Sequence, residues 1–229
     1  SLILSFRGRV LIVAGSDSGG GAGIQADIKT VTALGGFATT AVTAITVQDT
    51  LGVHGIHEIP LDIIQAQMRV VLDDIGTDAI KTGMLHSVEI IEAVAEEISE
   101  RAPTAILIVD PVMIAKGGAA LLQANAMDAY KRALMPLAGL ITPNIPEAEA
   151  LTGRVITTLD EQKAAADALL GLGCDAVLLK GGHMPGATIF DVLATQETIE
   201  VMSGPRIDTR HTHGTGCTLA SAIAALMAQ

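Results

Sequence analysis

The sequence predicts an α/β chain: a mostly parallel central sheet packed between helices on both faces, one domain over residues 1–229. Three observations carry this expectation. From Asp78 onward, short apolar runs alternate with amphipathic stretches in strict βαβα order. The composition, 49% hydrophobic but only 2% aromatic and without Trp, specifies a core of Val, Ile, Leu, Ala and Met. The 24 glycines suit closely packed layers over strands buried on both faces.

In order, Val10–Gly15 is a β-branched run ending in glycine and predicts a central strand. It feeds a glycine-rich loop, Ser16 to Gly23, and a helix from about Ala22 to Leu34. Phe37–Val47, alternating small, β-branched and Thr residues, predicts a strand that ends at Gln48-Asp49, and Val53–Ile59 predicts another. No convincing helix separates these two, which predicts a small β-flap beside the main sheet. Leu61–Leu72 is an amphipathic helix with Met68 and Val71 inward. Then come the strand Ala79–Thr82, a helix over about Ser87–Glu100, the strand Ala105–Val109, the strand Gly139–Thr142 and a helix through Leu151. A helix over Asp160–Leu172, the strand Ala176–Leu179 and a hairpin of Thr188–Leu193 with Thr198–Met202 complete the series before the final stretch. No repeat, linker or low-complexity block divides the chain.

A net charge of −11 with no basic stripe excludes a duplex nucleic-acid partner. Mean hydropathy is high at +0.49, yet no apolar run approaches the ~20 residues of a membrane helix. The amino end has no signal-peptide layout, which predicts a cytoplasmic protein. Cys174 and Cys217 form neither a zinc pattern nor an expected disulfide. Cys174 reads as a small buried residue.

The chemistry lies in position. Asp110, Asn144, Glu147, Lys180 and Cys217 all fall at or just after the carboxyl ends of predicted strands, where open α/β sheets bind ligands. Carboxylates gathered there hold Mg²⁺ through water and orient a polyphosphate. Asp27, one turn after Gly23, is placed to face the loop mouth, and Gln48 at a strand end has both donor and acceptor for a heterocycle. The glycine-rich loop lacks the Walker lysine and the dinucleotide fingerprint, so ligand contact and simple packing against a helix both remain open for it.

The final stretch, RHTHGTGCTLASAIAALMAQ, places Gly214-Thr215-Gly216 before Cys217 and a run of helix formers. A glycine turn opening a helix, with Thr215 or Thr218 as N-cap, aims free N–H groups and the positive end of the helix dipole at an anion. The same field lowers the pKa of a thiol in the first turn. Phosphoryl transfer to a small alcohol fits this pairing; a glycine turn before an Ala-rich helix with a core cysteine is the plain structural reading of the same residues. His211 and His213 have no third ligand near them in sequence and read as loop histidines.

Taken together, AGSDSGGGAGIQADIKT, TAITVQDT, IKTGML, DPVM, TPNIPEAEALTG, LLKGGH and DTRHTHGTGCTLASAIA resemble the ribokinase-like superfamily. Within it they are similar to the hydroxymethylpyrimidine/phosphomethylpyrimidine kinases of thiamin biosynthesis. The resemblance spans Ala14 to Ala224, and it implies a ribokinase-like three-layer α/β/α sandwich. It assigns the Gly15 turn, Asp27 and Gln48 to the hydroxymethylpyrimidine ring, with Met84 and Val112 lining the pocket. Asp110, Asn144 and Glu147 take the Mg²⁺-phosphate positions. Lys180, with Asn144 and Thr215, binds the ATP phosphates; Gly214, Thr215 and Gly216 form the anion hole, and Cys217 is the catalytic base. Most sugar kinases of the superfamily have Asp where Cys217 stands, so the cysteine points to pyrimidine or pyridoxal-type substrates.

The resemblance further implies a homodimer acting on the pyrimidine and its monophosphate, and helices beyond Gln229 that help enclose adenine. A pyridoxal or pyridoxine kinase is the rival within the superfamily. A non-catalytic pyrimidine-binding module is the rival of another class, and it expects Cys217, Lys180 or Asp110 to be lost.

Overall fold

A computed structural model describes residues 8–115, 117–206 and 215–229, with side chains from 219 onward in the last stretch. The elements are β1 (Arg9–Asp17), α1 (Gly23–Ala33), β2 (Phe37–Gln48), β3 (Val53–Glu58), α2 (Leu61–Asp74), β4 (Ala79–Thr82), α3 (Val88–Arg101) and β5 (Ile106–Val109). There follow a short α4 (Met127–Ala129), β6 (Leu140–Ile141), α5 (Ile145–Thr152), α6 (Leu159–Leu170), β7 (Ala176–Leu179), β8 (Thr188–Thr195), β9 (Ile199–Pro205) and α7 (Thr215–Met227). Among the described residues the strands form one sheet in the order β3-β2-β1-β4-β5-β6-β7-β8-β9.

Strands β2, β1, β4, β5, β6 and β7 run parallel, and antiparallel β3 and the β8–β9 hairpin close the two edges. Parallel strands need helical crossovers, which cover both faces. Because side chains alternate across a strand, Val10 and Ile12 pack with Val31 of α1 and Ala220, Ala224 and Ala225 of α7. Leu11 and Val13 point the other way, into the larger core under α2, α3, α5 and α6. The result is the expected three-layer sandwich.

The expected β-flap is the carboxyl half of β2 with β3, continuous with the main sheet: β2 pairs with β1 from Phe37 to Thr46 and with β3 from Ala44 to Gln48. Ile45, Val47 and the following Leu51 are exposed on this ribbon.

No element is predicted between Met113 and Gly139, yet Ala124–Leu137 winds as a 3₁₀ turn, α4, a π turn over Tyr130–Leu134 and a second 3₁₀ turn. Its changing pitch erases the 3.6-residue period, and Pro136 breaks the remainder. Among the described residues no helix is long and apolar enough to cross a membrane.

Candidate active site

The order of strands fixes where a ligand fits. Strand β1 lies between β2, reached through α1, and β4, reached after the chain has crossed back. The connections leave in opposite directions there and open a crevice beyond the carboxyl ends of the strands. A cavity of about 990 Å³ occupies it, lined by Gly15, Gln48, Met84, Asp110, Val112, Asn144, Glu147 and Lys180, all expected from the sequence. Gly214 lies outside the described residues, as do the side chains of Thr215 and Cys217. The helix bearing Thr215, Gly216 and Cys217 begins at Thr215, so Thr215 is its first helical residue and Thr218 lies within it; neither takes the N-cap place expected from the sequence. His211 and His213 are likewise outside the described residues.

One end of the cavity is built for charge. Asn144 caps α5 in a reciprocal box: its Oδ1 accepts from the Glu147 N–H, and Glu147 Oε1 accepts from the Asn144 N–H, each at 2.9 Å. Pairing between β6 and β7 continues past the strands, with the Lys180 N–H donating to Pro143 O at 2.9 Å. Lys180 Nζ thereby comes within 4.0 Å of Asp110 Oδ1. Asp110 is itself held by its N–H to Thr82 O and by a long contact from the Thr142 hydroxyl at 3.4 Å. Burial, and then the charge of Asp110, push the Glu147 carboxyl up to about 8. Two buried carboxylates that resist sharing negative charge fit a hard divalent cation with oxygen ligands. Among the described residues no three His, Cys, Asp or Glu side chains gather as a full metal cage. Asp110 and Glu147 are the residues that would hold such a cation here, with water completing its shell. Tyr130 is fully buried nearby, and burial followed by the charges of Asp110 and Glu147 raises its phenol, so it stays neutral.

Gly15, Gln48, Met84 and Val112 line another part of the cavity. A Cβ on Gly15 would stand 3.0 Å from Met84 Sδ, so glycine lets that thioether close the floor. Met84 packs with Ala44 and Leu121, and Val112 joins this cluster. Gln48 is half-buried at the end of β2. The glycine-rich loop is organised from within by Asp17, whose carboxylate accepts from the N–H groups of Gly19, Gly21 and Ala22 at 2.7, 3.1 and 2.7 Å. This replaces the missing side-chain cap of α1. Asp17 lines the cavity but was not expected from sequence; the turn chemistry of Asp before Ser-Gly-Gly is the signal that would have found it.

Asp27 requires a correction. It does not line the cavity; its side chain is fully buried between α1 and the sheet. Lys81 Nζ lies 3.1 Å from each of its oxygens, and the Ser221 hydroxyl of α7 donates to Oδ1. The i, i+4 relation to Gly23 holds, but that face of α1 meets the sheet, not the loop mouth. Lys81, which does line the cavity, was missed. A lysine inside a buried strand is nearly always paired, and that is the signal Ala-Ile-Lys-Thr carried.

A crevice that brings two acidic groups and a lysine together with apolar side chains at the switch point of a ribokinase-like sheet fits an α/β phosphotransferase. The chain belongs to the phosphomethylpyrimidine kinase family, whose model matches residues 17–229. It is 49% identical over 222 residues to the hydroxymethylpyrimidine/phosphomethylpyrimidine kinase of Bacillus subtilis (strain 168), covering 96% of this chain and 82% of that one. Its fold is similar to a crystal structure of phosphomethylpyrimidine kinase from Clostridium difficile 630, with TM-score 0.84 and 42% identity over 96% of this chain and 90% of that chain. It is also similar to the pyridoxal kinase of Staphylococcus aureus in complex with pyridoxal, with TM-score 0.88 and 34% identity over 96% and 80% of the two chains.

Proposed function

We propose that this protein transfers the γ-phosphoryl group of ATP to 4-amino-5-hydroxymethyl-2-methylpyrimidine and then phosphorylates the product to the diphosphate, in thiamin biosynthesis. The observation that carries this reading is the pairing, in one cavity, of the Asp110–Glu147–Lys180 cluster with the pocket of Gly15, Gln48, Met84 and Val112. In the first transfer the substrate hydroxyl attacks the γ-phosphorus and the bond to ADP breaks. Cys217, as thiolate, takes the hydroxyl proton. Lys180 and the N–H groups of Gly214–Gly216 offset charge on the moving group. Asp110, Glu147 and Asn144 are the residues that would hold Mg²⁺ beside the phosphates, where it would supply further charge neutralisation. In the second transfer the acceptor is already an anionic phosphate and needs no base.

Consumption of ATP fits a cytoplasmic enzyme. The homodimer implied by the resemblance remains part of this reading; Ile45, Val47 and Leu51 offer apolar surface on the β2–β3 ribbon for a second copy.

A second reading, phosphorylation of pyridoxal, is favoured by the likeness to the pyridoxal kinase of Staphylococcus aureus. One experiment separates them: incubation with Mg-ATP and either substrate, products followed by mass. Sequential mono- and diphosphates of the pyrimidine support the first reading. Pyridoxal phosphate alone supports the second, and tight pyrimidine binding without turnover of either would leave a binding module.

A further inference from the structure

Gln48 carries a side-chain amide whose two ends are alike in shape, so the hydrogen bonds around it decide which end faces the cavity. Thr46, two residues earlier on the same face of β2, has its hydroxyl oxygen 2.7 Å from Ser16 O and 2.9 Å from the Gln48 amide atom assigned as Oε1. A hydroxyl has one proton. Ser16 O only accepts, and it is the shorter contact, so the proton belongs there. Toward Gln48, Thr46 then offers a lone pair. Only the amide NH₂ satisfies it, which exchanges the oxygen and nitrogen ends of the amide; a carbonyl oxygen there would set two acceptors against each other.

The backbone of Gln48 is pinned as firmly. The Ser18 hydroxyl accepts from the Gln48 N–H at 2.8 Å and donates to Gln48 O at 2.6 Å. Thr46 is 4% exposed, so water does not replace its bonds. Both Thr46 and Gln48 line the cavity.

We propose that Thr46 is a specificity-determining positioning residue: it turns Gln48 so that Oε1 and the second N–H of Nε2 stand side by side toward the substrate. That edge is an acceptor next to a donor. It matches an aminopyrimidine, in which an exocyclic NH₂ adjoins a ring nitrogen. Pyridoxal has no such edge; its phenolic oxygen lies between carbon-bound substituents. A site built to hydrogen-bond one edge rejects ligands that leave its polar groups unpaired. The inference rests on the proposed kinase function and adds what sets its choice between the two rings.

The test is Thr46→Val, which keeps the shape and removes the lone pair, beside Thr46→Ser, which keeps the hydroxyl. Thr46→Val is expected to lower kcat/KM for the pyrimidine at least tenfold and to leave that for pyridoxal within threefold. Thr46→Ser should restore the wild-type ratio. A Thr46→Val protein with an unchanged ratio of the two substrates overturns the proposal, as does equal loss on both. Calorimetric binding of the pyrimidine to the same proteins gives a readout free of turnover. If the wild type binds but transfers no phosphate, the kinase reading falls, while a tenfold weaker dissociation constant in Thr46→Val still supports the orientation of Gln48. Equal binding by the two proteins overturns it. Should Thr46→Val fail to fold, Ser18→Ala, at an exposed position, loosens the same glutamine and should shift the substrate ratio in the same direction; an unshifted ratio counts against the proposal.

Discussion

Cys217 and Lys180 are asked to do different things, and single substitutions separate them. A general base matters only where a proton must leave. Cys217→Ala should therefore slow the first transfer by about 100-fold or more and leave the second nearly untouched. Rates measured separately on the pyrimidine and on its monophosphate check this, and equal losses in both steps would exclude the thiolate role. In the proposed mechanism Lys180 faces the phosphates in both steps. Lys180→Met should cost roughly 100-fold in kcat in each, the effect of removing one charge-stabilising donor. Met84 was legible from the motif alone, but its contact with Gly15 was not, because the reason for glycine there is a sulfur atom 3.0 Å from an imagined Cβ. Likewise a sequence shows that Gln48 has a donor and an acceptor, but not which one points inward. That is decided by Thr46 and Ser16, which come together only when β2 lies against β1.

At the scale of elements, turns and caps hold the site in place. Gly23 opens α1 with φ +59°, and a Cβ there would stand 2.4 Å from Gly15 O. Gly23→Ala must displace the turn that carries the ring pocket, and a loss of pyrimidine affinity larger than the loss of thermal stability is the expected signature. Asn144→Ala removes half of the α5 capping box and should cost about 1 kcal/mol in urea unfolding; because Glu147 hangs from the same box, ATP affinity should fall with it.

Strand ends respond to pH as well. Three donors of Arg9 reach the Asp78 carboxylate, at 2.8, 3.1 and 2.9 Å, joining the start of β1 to the start of β4. The Arg9 side chain holds that carboxyl below its ordinary 3.8. A depressed carboxyl contributes stability that is complete above the unfolded value and is lost as pH falls through the folded one. Asp78→Asn should thus lower Tm at pH 7, and the difference should shrink to nothing as wild type and variant are compared at successively lower pH below 3.8. The order of these elements was readable because helices and strands here keep clean periods. Residues 124–137 were not, because 3₁₀, α and π turns in succession have no single period to detect.

Across the whole molecule, one buried cluster joins the beginning, middle and end of the chain. Asp27 of α1, Lys81 of β4 and Ser221 of α7 are each fully buried, and Ser221 reaches back over 194 residues to its partner. Lys81 follows Ile80 on β4 and so points to the opposite face, the one covered by α1 and α7. A buried ion pair is seldom the most stable filling for such a space, so the cluster's value is expected to lie in registration. Ser221 stands one helical turn beyond Cys217, and its bond to Asp27 sets how α7 sits on the sheet. Asp27→Ala leaves the Lys81 ammonium without this carboxylate in an apolar layer and should cost about 3 kcal/mol or more. Asp27→Leu with Lys81→Met, an apolar pair of similar bulk, should regain most of that stability in urea melts. If registration is what the ions provide, the double variant will fold well yet turn over slowly, with kcat reduced more than KM. A double variant as active as the wild type would show that packing alone positions α7.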